Sequence, residues 1–246
     1  MTSPIHRVLF TLSSQQVRCL LIGGQACIFY GAAEFSRDAD IALLASDENL
    51  HRLRNALREL NAAPIAVPPL APEYLLRGHA VHFRCAHPDA AGVRIDLIAR
   101  MRGVDPFEDL WGRRTTVEVG PGESYDVISL PDLVRSKKTQ RDKDWPMIRR
   151  LVEANYVSNR EAPTPKQVEF WLREGRTPQL LKDVARHYPE AAGMIRRLRP
   201  LIAFVQTGDD AALERELESE EKREREADRE YWKPLREELE RLRHAL

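Results

Sequence analysis

The first 130 residues alternate between short apolar runs and stretches with helical spacing. Proline in the first turn predicts a helix from Pro4 to about Gln16, and a second helix begins after Gly24. A third runs from Ser46 to about Leu60, with leucines along one face, while the four prolines between 64 and 72 predict irregular structure. The apolar runs predict six strands, at 18–22, 38–44, 80–86, 93–98, 115–119 and 125–128.

From Pro131 onward the spacing is helical throughout. It predicts helices at 131–138, 146–157, 165–173, 179–188 and 190–205, and a long charged helix at 209–246 that is kinked or broken at Pro234. Between Glu214 and Glu230 only Leu217 and Ala227 are apolar, so we expect no face toward a core there. A stripe at 231, 235, 239, 242 and 246 could dock on the body of the protein or on a partner.

These elements predict an α+β fold of three parts. Residues 1–130 form a mixed β-sheet with flanking helices, 131–208 form a helical domain, and 209–246 form the charged C-terminal helix. Three scattered cysteines fit neither a disulfide framework nor a zinc site. No apolar stretch is long enough to cross a bilayer, and the first residues lack the features of a signal peptide, so we expect a cytoplasmic protein without a membrane partner.

The formal net charge of zero, from 38 basic and 38 acidic residues, argues against a uniformly basic nucleic-acid binder. The zero net charge arises, however, because an acidic C-terminal segment offsets a basic remainder of the chain. Residues 209–246 hold fourteen acidic and nine basic residues, which leaves 24 acidic and 29 basic residues in 1–208. Seven basic residues lie between Arg135 and Arg150, so an anionic substrate is not excluded.

Three aspartates lie on apolar strands. Asp38 and Asp40 are two apart and therefore point to one face of their strand, and Asp96 lies on another. Carboxylates that converge on a buried site repel one another, and Mg²⁺, which prefers oxygen ligands, relieves that repulsion. The alternative for each aspartate alone is a cap or a surface residue, and the sequence does not show that the two strands are neighbours.

Gly23 and Gly24 lie between a predicted strand and a predicted helix. Glycines let a phosphate approach the backbone, and the start of a helix favours negative charge. The alternative is a tight turn from strand to helix. The order of the features is more informative than the glycine pair alone. The pair is followed by thirteen residues, then by Asp38-Ala-Asp40, and then by a distant strand aspartate.

This joint pattern resembles the nucleotidyltransferase superfamily typified by DNA polymerase β. The resemblance implies a nucleotidyltransferase-like mixed sheet in which Gly23 and Gly24 hold a nucleoside triphosphate. Asp38 and Asp40 would bind two Mg²⁺ ions, with Mn²⁺ as an alternative, and Asp96 would complete the second metal site and favour the attacking hydroxyl. Family members often carry Arg-x-Thr before the first aspartate, where this chain has Glu34 and Ser36. Ser36 keeps a hydroxyl, and Arg37 could replace the lost arginine in the nucleotide site.

A second stretch, Leu130 to Lys137 followed by Arg141 to Asp144, is similar to a bacterial subgroup. That subgroup contains abortive-infection toxins and the minimal nucleotidyltransferases of toxin–antitoxin pairs. The similarity implies that Lys137 reaches the triphosphate, and that Arg141, also assigned to the nucleotide site, braces the helix with Asp144. A solvated helix face is the alternative. Three histidines at 79, 82 and 87 have poor geometry for a shared metal, so we expect packed or surface side chains.

The resulting hypothesis is a metal-dependent transfer of a nucleoside monophosphate from a triphosphate to a hydroxyl. On family grounds the acceptor is RNA, including tRNA, or a protein side chain. The protein could act in a toxin–antitoxin pair or in phage defence, with a partner protein on the charged helix. The alternative is a catalytically inactive protein of the same fold that binds a nucleotide or a partner.

Overall fold

A computed structural model describes residues 3–33 and 35–244, without the side chain of Gln206. The features noted at Glu34 and Leu246 therefore lie outside the described residues. The chain folds as two compact units. Unit 1 comprises Met1–Phe29, Ala33–Ser136 and Tyr231–Leu246, and unit 2 comprises Tyr30–Ala32 and Lys137–Glu230.

Unit 1 is built on a mixed sheet, which has seven strands among the described residues. They are β1 (Cys19–Leu21), β2 (Asp38–Leu43), β3 (Ala63–Pro64), β4 (Val81–Arg84), β5 (Arg94–Ile98), β6 (Thr115–Gly120) and β7 (Glu123–Val127). Their order across the sheet is β3-β4-β5-β2-β1-β7-β6. The pairs β2–β5 and β1–β7 are parallel and the others are antiparallel. The predicted α+β class is confirmed, with β3 as a short addition within the proline-rich stretch.

The helices of unit 1 flank this sheet. They are α1 (Pro4–Ser14), α2 (Gly23–Phe29), α3 (Asp47–Glu59), α4 (Pro72–Arg77), α5 (Phe107–Gly112) and α6 (Leu130–Ser136). The hydroxyl of Ser46 accepts a hydrogen bond from the Asn49 backbone, and the predicted leucine face of α3 is buried. The sequence did not predict α4 and α5, because six residues are too few to show a helical period.

Strand β2 separates the core from the polar face of the sheet. Ala39, Ile41 and Leu43 are buried, whereas Asp38 and Asp40 point to the opposite side and are half-buried. On the neighbouring strand β5, Ile95 and Leu97 are likewise buried. Apolar burial on one face thus fixes which side of the sheet carries the aspartates.

The regular elements of unit 2 are all helices among its described residues. It contains α7 (Asp144–Asn159), α8 (Pro165–Glu174), α9 (Pro178–His187), α10 (Pro189–Ile195), α11 (Ile202–Thr207) and the first part of α12 (Asp210–His244). Fully buried Trp171 packs edge-on against Tyr156 and donates a hydrogen bond from Nε1 to Asn155 Oδ1, at 2.8 Å. The predicted single helix at 190–205 is wrong. One α-helix ends at Ile195 and the next begins at Ile202, with Pro200 in the interval.

Helix α12 bears on two expectations about the charged segment. It continues through Pro234, so it is not broken there. Between Glu214 and Glu230 its buried residues are Leu217 and Asp228, while Ala212 and Leu213, which are also buried, precede that stretch. Ion pairs also join this part of α12 to the rest of unit 2, since Glu220 binds both Arg176 and Arg199.

The last part of α12 packs within unit 1. Leu235 is buried, and Tyr231 and Leu235 lie against Gly78. The Glu238 carboxylate lies 3.0 Å from Arg77 Nη1 and 2.8 Å from Nε2 of buried His79. This end of the predicted stripe therefore docks on the body of the protein. None of the described helices combines the length and the apolar character needed to cross a membrane.

A buried amide joins β1, the end of β2 and α3. Asn49, which is 3% exposed, accepts from the Arg18 backbone N–H at 2.7 Å and donates to the carbonyls of Arg18 and Leu44. We expect Asn49→Ala to lower the free energy of unfolding by about 2–4 kcal/mol, because it removes the partners of three backbone groups. Asn55→Ala on the same helix should cost less than about 1 kcal/mol. Urea denaturation measures both values, and equal losses would contradict the role assigned to Asn49.

Candidate functional site

The polar face of the sheet brings the three aspartates together. In the parallel β2–β5 pair, Asp40 lies directly opposite Asp96, and Asp38 lies opposite Arg94. In the antiparallel β4–β5 pair, His82 lies opposite Asp96. Since side chains paired across strands share a face, these five groups form one cluster, which we call the carboxylate cluster.

The glycine pair packs against this cluster. Gly23 adopts φ +61°, and a Cβ placed there would overlap the Asp40 carboxylate. The Gly24 N–H donates to Asp40 Oδ2 at 3.3 Å, and a Cβ on Gly24 would lie 2.5 Å from Ser36 Oγ. Both positions therefore require glycine because the side chains of the site approach the backbone closely.

Asp96 is held by two neighbours that the sequence did not assign to the site. Arg94 Nε donates to Asp96 Oδ1 at 2.6 Å, and His82 Nδ1 lies 2.7 Å from the same oxygen. Burial of Asp96 opposes its ionisation, but the hydrogen bonds to His82 and Arg94 outweigh burial and hold the pKa of the carboxyl below its ordinary value. Asp96 is therefore a carboxylate at neutral pH.

The charges of the cluster also act on Arg94. Its hydrogen bond to Asp96 is the main cause that raises the pKa of the guanidinium; burial opposes it, and the charges of Asp96, Asp38 and Asp40 add to it. One cation thus compensates three neighbouring carboxylates. The spacing Arg94-x-Asp96, which puts both side chains on one face, was the signal in the sequence for Arg94. The signal for His82 was weaker, because it needs the pairing of β4 with β5.

The donor set suits a hard divalent cation in its chemistry, since it offers three carboxylates on one face. Among the described residues, no three His, Cys, Asp or Glu side chains are already arranged as a metal site. Asp40 is turned toward the Gly24 N–H, and Asp96 toward Arg94. Asp38, Asp40 and Asp96 could hold a metal after rotation of these side chains.

The two other predicted nucleotide contacts of unit 1 lie beside the glycine pair. Ser36 Oγ donates to the Asp38 carbonyl at 3.3 Å, and the Ser36 carbonyl accepts from Gln25 Nε2 at 2.9 Å. Arg37 is exposed, and its guanidinium carbon lies 5.7 Å from the ring centroid of Phe35. Ser36 is thus next to the backbone of Gly24, whereas Arg37 extends into solvent.

Lys137 and Arg141 lie in unit 2 and share one buried carboxylate. Lys137 is 9% exposed, and its Nζ lies 3.6 Å from Asp144 Oδ1. Arg141 Nε and Thr139 Oγ1 both donate to Asp144 Oδ2, at 2.7 and 2.6 Å. Asp144 therefore braces the start of α7 within unit 2, while the contact of Lys137 and Arg141 with a triphosphate stays a prediction.

The other two histidines have structural surroundings. His79 is buried beside Glu238, and the His87 ring accepts a hydrogen bond from the Asp89 backbone at 3.1 Å. Both agree with the expectation of packed or surface side chains. His82 differs because its ring faces the carboxylate cluster.

Comparisons with known proteins give only weak likenesses. No family model matches the sequence, and no curated protein matches it. Among solved structures, the chain is similar to a "putative nucleotidyltransferase" from H. pylori, with a TM-score of 0.40 and 11% identity, over 88% of this chain and 94% of that chain. It is also similar to JHP933 from Helicobacter pylori, with a TM-score of 0.36 and 10% identity, over 88% of this chain and 91% of that one. Such low scores carry no conclusion about activity, which has to be argued from the site.

The approach of Asp40 to Gly23 can be tested with two alanine variants. Gly23 and Gly31 both have positive φ, but a Cβ on Gly31 would meet no described atom within 4 Å. We expect Gly31→Ala to cost about 1 kcal/mol of unfolding free energy through backbone strain alone. Gly23→Ala should cost more than about 2 kcal/mol, because it must also displace Asp40. Equal losses in denaturant titrations would show that Asp40 does not pack on Gly23.

The hydrogen bond from Arg94 to Asp96 predicts that replacing Arg94 changes the pKa of Asp96. Without the guanidinium, burial dominates, so Arg94→Met should raise the pKa of Asp96. Because the wild-type pKa is depressed, the ion pair stabilises the fold above the ordinary aspartate range and loses that effect as the pH falls through the folded-state pKa. Carbon-13 NMR of the carboxyl carbon measures the shift. Arg84→Met, opposite Arg94 on β4, is the control and should leave the Asp96 pKa unchanged.

Proposed function

We propose that the carboxylate cluster catalyses transfer of a nucleoside monophosphate from a nucleoside triphosphate to a hydroxyl acceptor. The observation that carries the proposal is the β2–β5 register, which sets Asp40 beside Asp96 with Asp38 on the same face. The close packing of Gly23 and Gly24 on Asp40 adds a backbone surface without side chains next to these carboxylates. A triphosphate needs both features, a metal-binding carboxylate set and an approachable backbone.

Asp38 and Asp40 would hold two Mg²⁺ ions, or Mn²⁺, with Asp96 completing the second position. When bound, the metal supplies positive charge that stabilises the leaving pyrophosphate and makes the acceptor hydroxyl more acidic. Rotation of Asp40 toward the metal would release the Gly24 N–H, which could then donate to a phosphate oxygen. Ser36 and Arg37 are the proposed further nucleotide contacts of unit 1. A nucleotide contact of Lys137 and Arg141 is a separate proposal that rests on the resemblance alone.

In the proposed reaction the acceptor oxygen bonds to the α-phosphorus as the bond from that phosphorus to the pyrophosphate oxygen breaks. The hydroxyl proton passes to Asp96. Both hydrogen bonds of this carboxylate go to Oδ1, so Oδ2 is the atom that receives the proton. Arg94 and His82 act as positioning residues, because they fix the direction in which Oδ2 points.

The acceptor class follows from the resemblance and not from the site's geometry. We propose a hydroxyl of RNA, including tRNA, or of a protein side chain. The similarity of residues 130–144 to toxin-like nucleotidyltransferases supports a role in a toxin–antitoxin pair or in phage defence. We also propose, as part of this role, that a partner protein binds the charged C-terminal helix.

One observation favours a second candidate, a protein that binds nucleotide without transferring it. The 2.6 Å hydrogen bond from Arg94 keeps Asp96 ionised but also lowers its basicity. If Arg94 keeps this bond in the substrate complex, Asp96 is a poor acceptor for the hydroxyl proton. Both candidate proteins therefore bind a nucleotide, but only the transferase turns it over.

The test is transfer of label from each α-labelled nucleoside triphosphate, with Mg²⁺, to total RNA and to cell protein. We expect one fraction to become labelled, and Asp40→Asn or Asp96→Asn to lower the rate at least about a hundredfold, because each removes a carboxylate needed in the transition state. Chelation should stop transfer, and either Mg²⁺ or Mn²⁺ should restore it.

Asp109→Asn, at an exposed position in the first turn of α5, is the matched control and should retain full activity. Transfer that survives both cluster substitutions would contradict the catalytic assignment. If the wild type binds a triphosphate and labels nothing under any condition, the binding protein is the correct alternative.

A further inference from the structure

An open cleft in unit 1 lies beside the carboxylate cluster and has no role in the proposed transfer. Its volume is about 640 Å³, which is within the usual range for small-molecule sites. Parts of α1, α2, the segment 35–37 and the β6–β7 hairpin line it. Its floor is apolar, formed by Leu9, Ile28 and Phe29. We call this feature the α1–α2 cleft.

One rim of the α1–α2 cleft carries an exposed aromatic ring next to a cation. Phe35 is 71% exposed, and the Arg37 guanidinium lies over its ring. Arg37 forms no hydrogen bond or ion pair with the residues that the structure describes. An exposed large aromatic residue beside a positive charge is a surface suited to a flat ligand with a negative group.

Two further rings line the α1–α2 cleft and are fixed in position. The Tyr125 ring is buried and meets His6 edge-on, with 6.3 Å between the ring centroids. The Tyr125 hydroxyl donates to Glu123, and His6 Nε2 lies 2.7 Å from the same carboxylate. This network holds both rings in place, so the cleft has ordered aromatic lining besides Phe35.

The α1–α2 cleft is continuous with the site proposed for the triphosphate. Ser36 lines the cleft, and its hydroxyl contacts the backbone position of Gly24 and the Asp38 carbonyl. A ligand lying on Phe35 would therefore end close to the glycine pair. Arg37, on the same segment, could reach a phosphate attached to that ligand.

We propose that the α1–α2 cleft binds a nucleobase, stacked on Phe35, whose phosphate is contacted by Arg37. Stacking on an aromatic ring and a guanidinium contact to phosphate are the two elements by which proteins bind unpaired nucleotides. The base belongs either to the incoming triphosphate or to a nucleotide of an RNA acceptor, which share this chemistry. The inference deepens the proposed function, because it names the part of the substrate that lies beyond the glycine pair.

The experiment uses the full chain with Phe35→Trp as a reporter in the presence of Mg²⁺. This variant keeps an aromatic ring, and a base stacked on the introduced indole quenches its fluorescence. The probes are ATP, a six-residue oligouridylate and inorganic tripolyphosphate, which has no base. We expect ATP or the oligonucleotide to quench the indole fluorescence and tripolyphosphate to leave it unchanged. The source of the base is identified by the probe, ATP or the oligonucleotide, that quenches the fluorescence at the lower concentration.

Affinity measured by calorimetry supplies the second readout. Phe35→Ala should weaken binding of the quenching probe about tenfold, which is the expected cost of losing one stacked base. The affinity for tripolyphosphate should be unchanged in this variant. Arg37→Ala should weaken binding of the same nucleotide. Met194→Ala, at an equally exposed apolar position on α10, should have no effect on any probe.

Three outcomes overturn the proposal: absence of quenching by either nucleotide, equal quenching by tripolyphosphate, or an unchanged affinity for the nucleotides in Phe35→Ala. A protein ligand for the cleft would give the first outcome. Failure of the transfer reaction is a separate result, because quenching of the reporter measures binding of the base and needs no turnover. Quenching without transfer would therefore retain the base site and reject the proposed catalysis.

Discussion

The parallel pairing of β2 with β5 is the interaction on which both the core and the site depend. Its register places Asp40 opposite Asp96 on one face and Ala39 opposite Ile95 on the other. Because side chains alternate along a strand, a slip of one residue would expose the apolar residues and bury the carboxylates. The free energy gained by burying Ala39, Ile41, Ile95 and Leu97 therefore also fixes the position of the carboxylate cluster.

Such a cluster needs compensation, since three carboxylates on one face repel one another. Each of the two paired aspartates has its own partner: Gly24 N–H for Asp40, and Arg94 with His82 for Asp96. These contacts keep Asp96 ionised, which a metal ligand must be. They also turn Asp40 and Asp96 toward different partners, so the proposed metal binding would require a change of side-chain rotamers.

Unit 2 follows the same rule for buried charge. Asp144 is surrounded by Lys137, Thr139 and Arg141, and Glu220 by Arg176 and Arg199. Five of the seven basic residues between 135 and 150 form ion pairs, at 135, 137, 138, 141 and 149. The basic stretch is therefore much less of a free positive surface than its composition indicates. Residues 137–144 of the motif that resembles a nucleotide-binding signature thus have a folding role in unit 2.

Local patterns in the sequence predicted most of the elements, including β2, α3, and the strands β6 and β7. The predictions failed where an element was too short to show a period, or where a proline interrupted the apparent period. Helices α4 and α5 have only six residues each, and the apparent helix at 190–205 divides near Pro200. The ion pairs of α12, with Glu220 as the example, could not be predicted because ionic contacts leave no apolar period in the sequence.

The sequence by itself determined the residue types of the site: two aspartates on one face of a strand, a third on an apolar strand, and a glycine pair before a helix. Strand periodicity is a local property, so it can be read from one segment. Only the tertiary structure decided that β5 lies beside β2, that Asp40 packs on Gly23, and that Arg94 and His82 hold Asp96. Those contacts join segments far apart in the chain, and the choice of partner strand depends on burial of the whole sheet rather than on any one segment.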